Sequence, residues 1–269
     1  MRERGSDAGV RVPPRRPMWP WHLALLIAVL GAWYGLTRSG LLPSFFFGEP
    51  WVVAQRIAQW FISGKIFPHL GVTLLETVLA FAFGTVLGLA VGLWLALSPF
   101  ASRLLNPYIT AVNSMPRVIL APIFAVWFGL GIGSKVMLGV TLVFFIVFFS
   151  VYNGVREVSP VILNNARMLG ATGRQLLRHV YLPSATAWVF SSLHASVGMA
   201  FVGAVVGEYL GSSRGVGYLI LQAEGVFDID TVLAGIAVLT ACALVLDRVV
   251  SIAERRLLRW RPGSSAEHY

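Results

Sequence analysis

Few residues of this 269-residue chain are equipped for covalent or metal chemistry. The histidines His22, His69, His179, His194 and His268 are scattered, and the single cysteine, Cys242, lies in an apolar run. That spacing offers no metal site, catalytic group or intrachain disulfide. No nucleophile elbow and no His/Asp/Glu cluster at metal spacing occurs, which argues against an enzyme. The nearest imitation of a phosphate-binding loop, GIGSK at Gly131–Lys135, lacks the G-x4-G-K-[ST] pattern, so the chain has no P-loop to hold ATP. What remains is a small set of polar groups in apolar surroundings: Glu76, Glu208, Arg117 and, four residues before it, Asn113. Ionisable groups inside a bilayer face a bundle interior or water, so these are candidate pathway residues. The plainer alternatives are that Glu76 and Glu208 reach the interface from span ends, and that Arg117 sits at a membrane boundary. Deep in a broken span, Arg117 would attract an anionic solute. Asn153 and His194 fit interhelical hydrogen bonds better than ligation.

The elements that carry these residues are apolar. Hydrophobic residues make up 57% of the chain and charged residues 12%, and mean hydropathy is +0.74. Soluble domains are about one-quarter charged, so the composition implies an all-α integral membrane protein. Spans of about 20 apolar residues are expected at Trp19–Thr37, Leu70–Leu97, Ile109–Leu130, Val136–Tyr152, Trp188–Tyr209 and Thr231–Ile252. Pro116 and Pro122 interrupt the third. Pro50–Ile62 reads as an amphipathic helix on the outer interface or a loop that packs on the protein. Gly84, Gly88 and Gly92 share one face of the second span, and Gly203 and Gly207 do so in the fifth, which permits close helix packing.

The net charge is +9, a value that also suits a nucleic-acid binder. Its distribution favours the membrane reading and no nucleic acid. Arg2, Arg4, Arg11, Arg15, Arg16, Arg103, Arg156, Arg167, Arg174, Arg178, Arg248, Arg255, Arg256, Arg259 and Arg261 fall on one side. The fewer basic residues Arg38, Arg56, Lys65, Lys135 and Arg214 fall on the other. The positive-inside rule then puts both termini in the cytoplasm. The expected organisation is a basic cytoplasmic arm over 1–18, a six-span domain over 19–262 with its core at about 67–255, and a tail over 263–269. The outer loop with Glu208, Arg214, Glu224, Asp228 and Asp230 is a candidate docking face.

One cytoplasmic stretch, NNARMLGATGRQLLRHVYLP at Asn164–Pro183, is strongly punctuated. Ser159-Pro160 opens a helix with an N-cap and a proline in its first turn. Gly170 ends it in a left-handed conformation. Thr172 with Gln175 forms a capping box and restarts a short helix, with Leu176, Leu177 and Val180 on one face and Arg174 and Arg178 on another. Pro183 is expected to stop that helix at Leu182.

The spacing of Ala166, Gly170, Val180, Leu182 and Pro183 resembles the A-x3-G-x9-I-x-L-P loop of binding-protein-dependent ABC importer permeases. Asn164 stands where that family has Glu, and Asn165 where it often has Ala. The segments His69–Ser98, Asn113–Gly131, Gly207–Ile220 and Glu254–Pro262 resemble the same family, in its nitrate/sulfonate/taurine-like group. The resemblance implies a type I importer fold in the inner membrane, a second permease copy in a dimer, a pair of ATPase subunits and an extracytoplasmic solute-binding protein. It implies that ATP is held by the partner, no cofactor by this chain, and that the loop from Asn164, Asn165, Ala166 and Arg167 to Pro183 couples to the ATPase. The Leu176–Leu177–Val180 ridge is then expected to fill a groove of the ATPase, with Arg167, Arg174 and Arg178 against its acidic rims. A small anionic or vitamin-like solute is expected. A secondary transporter or channel without an ATPase partner is the alternative.

Overall fold

The computed structural model describes residues 18–257, and among them every regular element is helical. The basic arm, apart from Met18, and the tail beyond residue 257 lie outside the described residues. Along the chain run α1 (Trp19–Arg38), α2 (Ser44–Phe47), α3 (Pro50–Ile62), α4 (Ile66–Leu97), α5 (Pro99–Ser114) and α6 (Ala121–Phe128). Then come α7 (Ile132–Arg156), α8 (Pro160–Met168), α9 (Gly173–Leu176), α10 (Leu182–Ser191), α11 (Leu193–Leu210), α12 (Val216–Gly225) and α13 (Ile229–Leu257).

The centre of the bundle is α7, clasped by α4 and α11. Lipid tails are as apolar as leucine, so helices in a membrane associate by close packing and not by escape from solvent. Here glycine makes that packing possible. A Cβ on Gly84 would lie 2.6 Å from Val143 Cβ, and one on Gly88 2.9 Å from the Phe144 carbonyl oxygen. A Cβ on Gly92 would meet the Phe148 carbonyl at 3.0 Å. On the other side of α7, one on Gly203 would sit 2.5 Å from Gly139 Cα. The expected glycine faces of α4 and α11 are therefore both used, and both are used against α7.

Around this trio lies a second cluster. Val53 and Trp60 of α3 are buried with Ile66, Val216, Leu219, Ile220, Ala234, Val238 and Leu239. Pro50–Ile62 is thus the expected amphipathic helix, and its apolar face packs on α13. Asp228 and Asp230, expected on a docking face, bind the chain to itself. Asp228 pairs with Arg56 at 3.4 Å and accepts from the Thr231 hydroxyl, while Asp230 accepts from the Glu49 N–H at 2.7 Å.

Among the described residues, four single helices, α1, α4, α7 and α13, are long and apolar enough to cross a membrane. The third expected span is not one helix. It is α5, a 3-10 turn at Arg117–Leu120 and α6, bent by 87°. Met115 precedes Pro116 and adopts the extended conformation that a following proline imposes, so α5 ends there. The fifth expected span is divided into α10 and α11 around Ser192.

Candidate functional site

Three places gather the polar residues: an elbow after α7, the break after α5, and a buried cluster at the start of α7. The elbow and the cluster lie at opposite ends of a 25-residue helix, about 37 Å apart at 1.5 Å per residue.

At the elbow, the local hydrogen bonds follow the punctuation of the sequence. Ser159 Oγ accepts from the Val161 N–H at 3.3 Å, with Pro160 opening α8. Gly170 has φ +83°, which excludes a side chain at low cost. Its N–H donates to the Arg167 carbonyl at 2.9 Å and the Ala171 N–H to the Ala166 carbonyl at 3.0 Å, the paired bonds of a Schellman end. Thr172 Oγ1 then accepts from the Gln175 N–H, and Gln175 Oε1 accepts from the Thr172 N–H at 2.7 Å, completing the capping box.

Two expectations fail here. Pro183 does not stop the helix. The chain passes from α9 through a π-helical turn, Leu177–Tyr181, directly into α10. Proline offers no N–H to the carbonyl four residues back, and a wider turn absorbs that mismatch without ending the rod. The second failure concerns the ridge of Leu176, Leu177 and Val180. Leu176 is buried, Leu177, Val180 and Leu182 are half-buried, and Tyr181 packs on the α4–α7 core. The ridge faces its own bundle. Ser184 Oγ fastens it there by donating to the Gly154 carbonyl at 2.8 Å. The free apolar surface lies on α8 instead: Val161 and Ile162 are exposed, Met168 is 85% exposed and Leu169 89% exposed. Asn164, Asn165, Arg167, Arg174 and Arg178 are exposed around it.

At the break, Arg117 Nη2 donates to the Asn113 carbonyl at 3.1 Å and to Asn113 Oδ1. Its guanidinium carbon lies 4.5 Å from the Phe145 ring centroid. The last carbonyls of a helix lack intrahelical partners, and a cation is favoured at that end. Arg117 therefore caps α5 from the far side of the bend, half-buried and stacked on α7. Arg117 Nε is buried without a partner among the described residues.

The third place overturns the interfacial alternative for the two acids. Glu76 is 1% exposed and Glu208 0%, and the two acids interact electrostatically across α4 and α11. Thr73 Oγ1 donates to Glu208 Oε1 at 2.6 Å, and the Gly217 N–H donates to Glu208 Oε2 at 2.8 Å. The Val216 N–H donates to Thr73 Oγ1 at 3.1 Å, and the Gly215 N–H to His69 Nδ1 at 3.2 Å. Lys135, placed by the sequence among outer basic residues, is 1% exposed. Its Nζ donates to the Leu130 carbonyl at 2.6 Å and interacts electrostatically with both acids. Thr73, His69 and Lys135 are the members that sequence reasoning missed. Thr73, Glu76 and Thr77 at helical spacing were the available signal. His194 does bridge α11 to α13, through Ser251 at 2.9 Å and Glu254 at 3.0 Å. Asn153 is exposed and makes no side-chain bridge among the described residues.

The fold and site are thus those of a bundle of apolar helices packed through glycine, with an ordered elbow after α7. The chain matches the binding-protein-dependent transport system inner membrane component over residues 84–259. It is 30% identical to a putative aliphatic sulfonates transport permease protein, SsuC, of Bacillus subtilis, over 94% of this chain and 92% of that one. It is 29% identical to the taurine transport system permease protein TauC of Escherichia coli, over 91% and 94%. It is 32% identical to the riboflavin transport system permease protein RibX of Chloroflexus aurantiacus, over 93% and 96%. A chain of the inward-facing MetNI methionine ABC transporter superposes with a TM-score of 0.60 at 19% identity, covering 78% of this chain and 95% of that one. The chain belongs to the binding-protein-dependent transport system inner membrane component family. It is an integral inner membrane permease of an ABC importer, with the type I fold.

Proposed function

We propose that this permease carries the passage for a small solute and is driven by a separate ATPase that grips the elbow between Pro160 and Pro183. The observation that supports this most strongly is α8. Met168 and Leu169 stand almost fully exposed on a loop whose backbone is fastened by a Schellman end and a capping box. An apolar surface of this kind beside Arg167 and Arg174 suits a hydrophobic groove with acidic rims. The docking role passes from the Leu176–Val180 ridge to α8. The Arg174–Arg178 segment becomes the stem that transmits movement into α10 and α7. ATP is held by the partner subunit, and this chain binds no cofactor.

A second copy of the chain packs on the exposed side of α5 and the 3-10 turn after it, where Tyr108, Val112, Val118 and Ile119 are uncovered. The passage runs between the copies beside Asn113 and Arg117, and both termini lie on the elbow side. A solute-binding protein delivers the solute from the opposite side. A small anionic or vitamin-like solute, chosen by the binding protein, is the reading favoured by relatives named for sulfonate, taurine and riboflavin transport. The closing and opening of the paired subunits is a rigid-body exchange between two packings.

The test is Gly170→Pro in the reconstituted transporter. Proline holds φ near −65°, so it cannot adopt the +83° of this position. Solute uptake should be lost while the protein remains inserted and the ATPase continues to hydrolyse ATP. Uptake at the wild-type rate would refute the elbow as the coupling element.

A further inference from the structure

The permease function leaves the buried acids unexplained. Glu76 and Glu208 are both buried on the packed helices α4 and α11, and Glu76 lies one turn after Thr73, whose hydroxyl is bonded to Glu208. Two buried carboxylates sharing one site do not both ionise at low cost. Their surroundings are not equivalent. Both oxygens of Glu208 receive donors, Thr73 Oγ1 on one and the Gly217 N–H on the other. Gly217 belongs to the first turn of α12, where the helix dipole favours an anion. The backbone is shaped around that carboxylate. Gly215 has φ +109°, and a Cβ there would collide with the Glu208 carboxyl group. Glu76 Oε2, by contrast, is buried, and no N–H or hydroxyl of the described residues donates to it.

The charges in reach give the same division. Lys135 of α7 is the buried cation, and its ammonium is bonded to the Leu130 carbonyl with no ion pair to either acid within 4.0 Å. His69 of α4 lies about two turns before Glu76, bonded to Gly215 and stacked on Tyr218 of α12. Arg214 is in the exposed turn before α12. One lysine balances one carboxylate. Ionising both acids would leave a net negative charge buried among α4, α7 and α11, which is costly in a dry interior.

We propose that Glu76 and Glu208 hold one proton between them, with Glu76 the neutral acid that donates and Glu208 the carboxylate that accepts. The proton is a resident ligand of the permease. It completes the seat on which the first turn of α12 is pinned to α4, at the end of α7 remote from the elbow. Thr73 closes the seat from the α4 side by donating to Glu208 and accepting from Val216.

The experiment is infrared difference spectroscopy on the full-length chain in lipid nanodiscs, wild type against Glu76→Gln, with thermal unfolding followed across neutral to alkaline pH. The wild type should show a protonated-acid carbonyl band at neutral pH that is absent from Glu76→Gln. Its unfolding temperature should fall as alkali removes the shared proton, because the second negative charge then has no counter-charge. Glu76→Gln keeps a donor toward Glu208 and should match the wild type at neutral pH without the alkaline fall. Should that variant not fold, the wild type alone decides. Its acid carbonyl band must shift in deuterium oxide and disappear over the same pH range in which the unfolding temperature falls. Absence of the band in the wild type overturns the proposal. So does an unchanged band or an unchanged alkaline fall in Glu76→Gln. A sodium-dependent unfolding temperature without the band would also overturn it, replacing the proton by a metal cation.

Discussion

At one end of α7, Lys135, Glu76 and Glu208 are withdrawn from all solvent; at the other, Val161, Ile162, Met168 and Leu169 stand exposed. Both ends invert the ordinary distribution of polarity, and they do so for different reasons. The charged end is closed upon itself: the donors of Thr73 and Gly217 find acceptors inside the same chain. The apolar end is complete in its backbone bonds but open in its side chains, since the caps of α8 and α9 leave the leucine and methionine outward. Burial of charge marks an internal joint. In the proposed function, the exposed apolar surface on an ordered loop is an external one.

The contrast breaks most visibly at Glu208. Glu208→Leu leaves the Thr73 hydroxyl and the Gly217 N–H without their acceptor, at about 1–3 kcal/mol each. The buried Lys135 also loses a counter-charge. This variant should not survive detergent extraction as a single species in size-exclusion chromatography. Wild-type behaviour there would mean that the charged end holds nothing together.

Met168→Ser with Leu169→Ser tests the other end. The unfolding temperature should stay unchanged, because neither side chain packs on the chain. Affinity for the ATPase should fall at least a hundredfold, since each buried apolar side chain is worth about 1.5–3 kcal/mol. Loss of thermal stability with undiminished affinity would mean that α8 is part of the bundle after all.

Thr172→Ala is expected to act more gently. Loss of the N-cap costs about 1 kcal/mol and should raise amide hydrogen exchange over Gly173–Leu176 about fivefold. Exchange unchanged there would place the order of the elbow in its packing and not in its capping box. The smallest effect is expected from Asn164→Glu, which adds an exposed acid at the start of the elbow. A shift in ATPase affinity beyond about 0.5 kcal/mol would show that this position makes a specific contact.

How much of this was visible in the sequence depended on the range of the interactions. The bounds of α3 and the caps of the elbow were legible because proline, serine, threonine and glycine act on backbone within four residues. The glycine faces of α4 and α11 were legible as spacing. The break at Met115–Arg117 was only half legible: two prolines announced an interruption, but not a bend of 87° capped by Arg117 itself. The continuation through Pro183 was hidden, because a π-turn leaves no mark in composition. The acid cluster was the least visible. In helices apolar all round, periodicity does not say which face is inward. Thr73, Lys135 and Glu208 meet only once α4, α7 and α11 are packed. Lys135, near the start of its helix, had the look of an ordinary flanking charge.

The glycine seam has a mechanical consequence. Where Gly139 faces Gly203, and Gly88 faces the backbone of Phe144, no layer of pliable side chains separates the helices. Three thin rods glued along their length bend far less than the same rods with soft padding between them. The trio therefore has the stiffness of a single thick beam. A torque applied at the elbow is delivered to the far end as rotation, with little of it dissipated as flexing along the way.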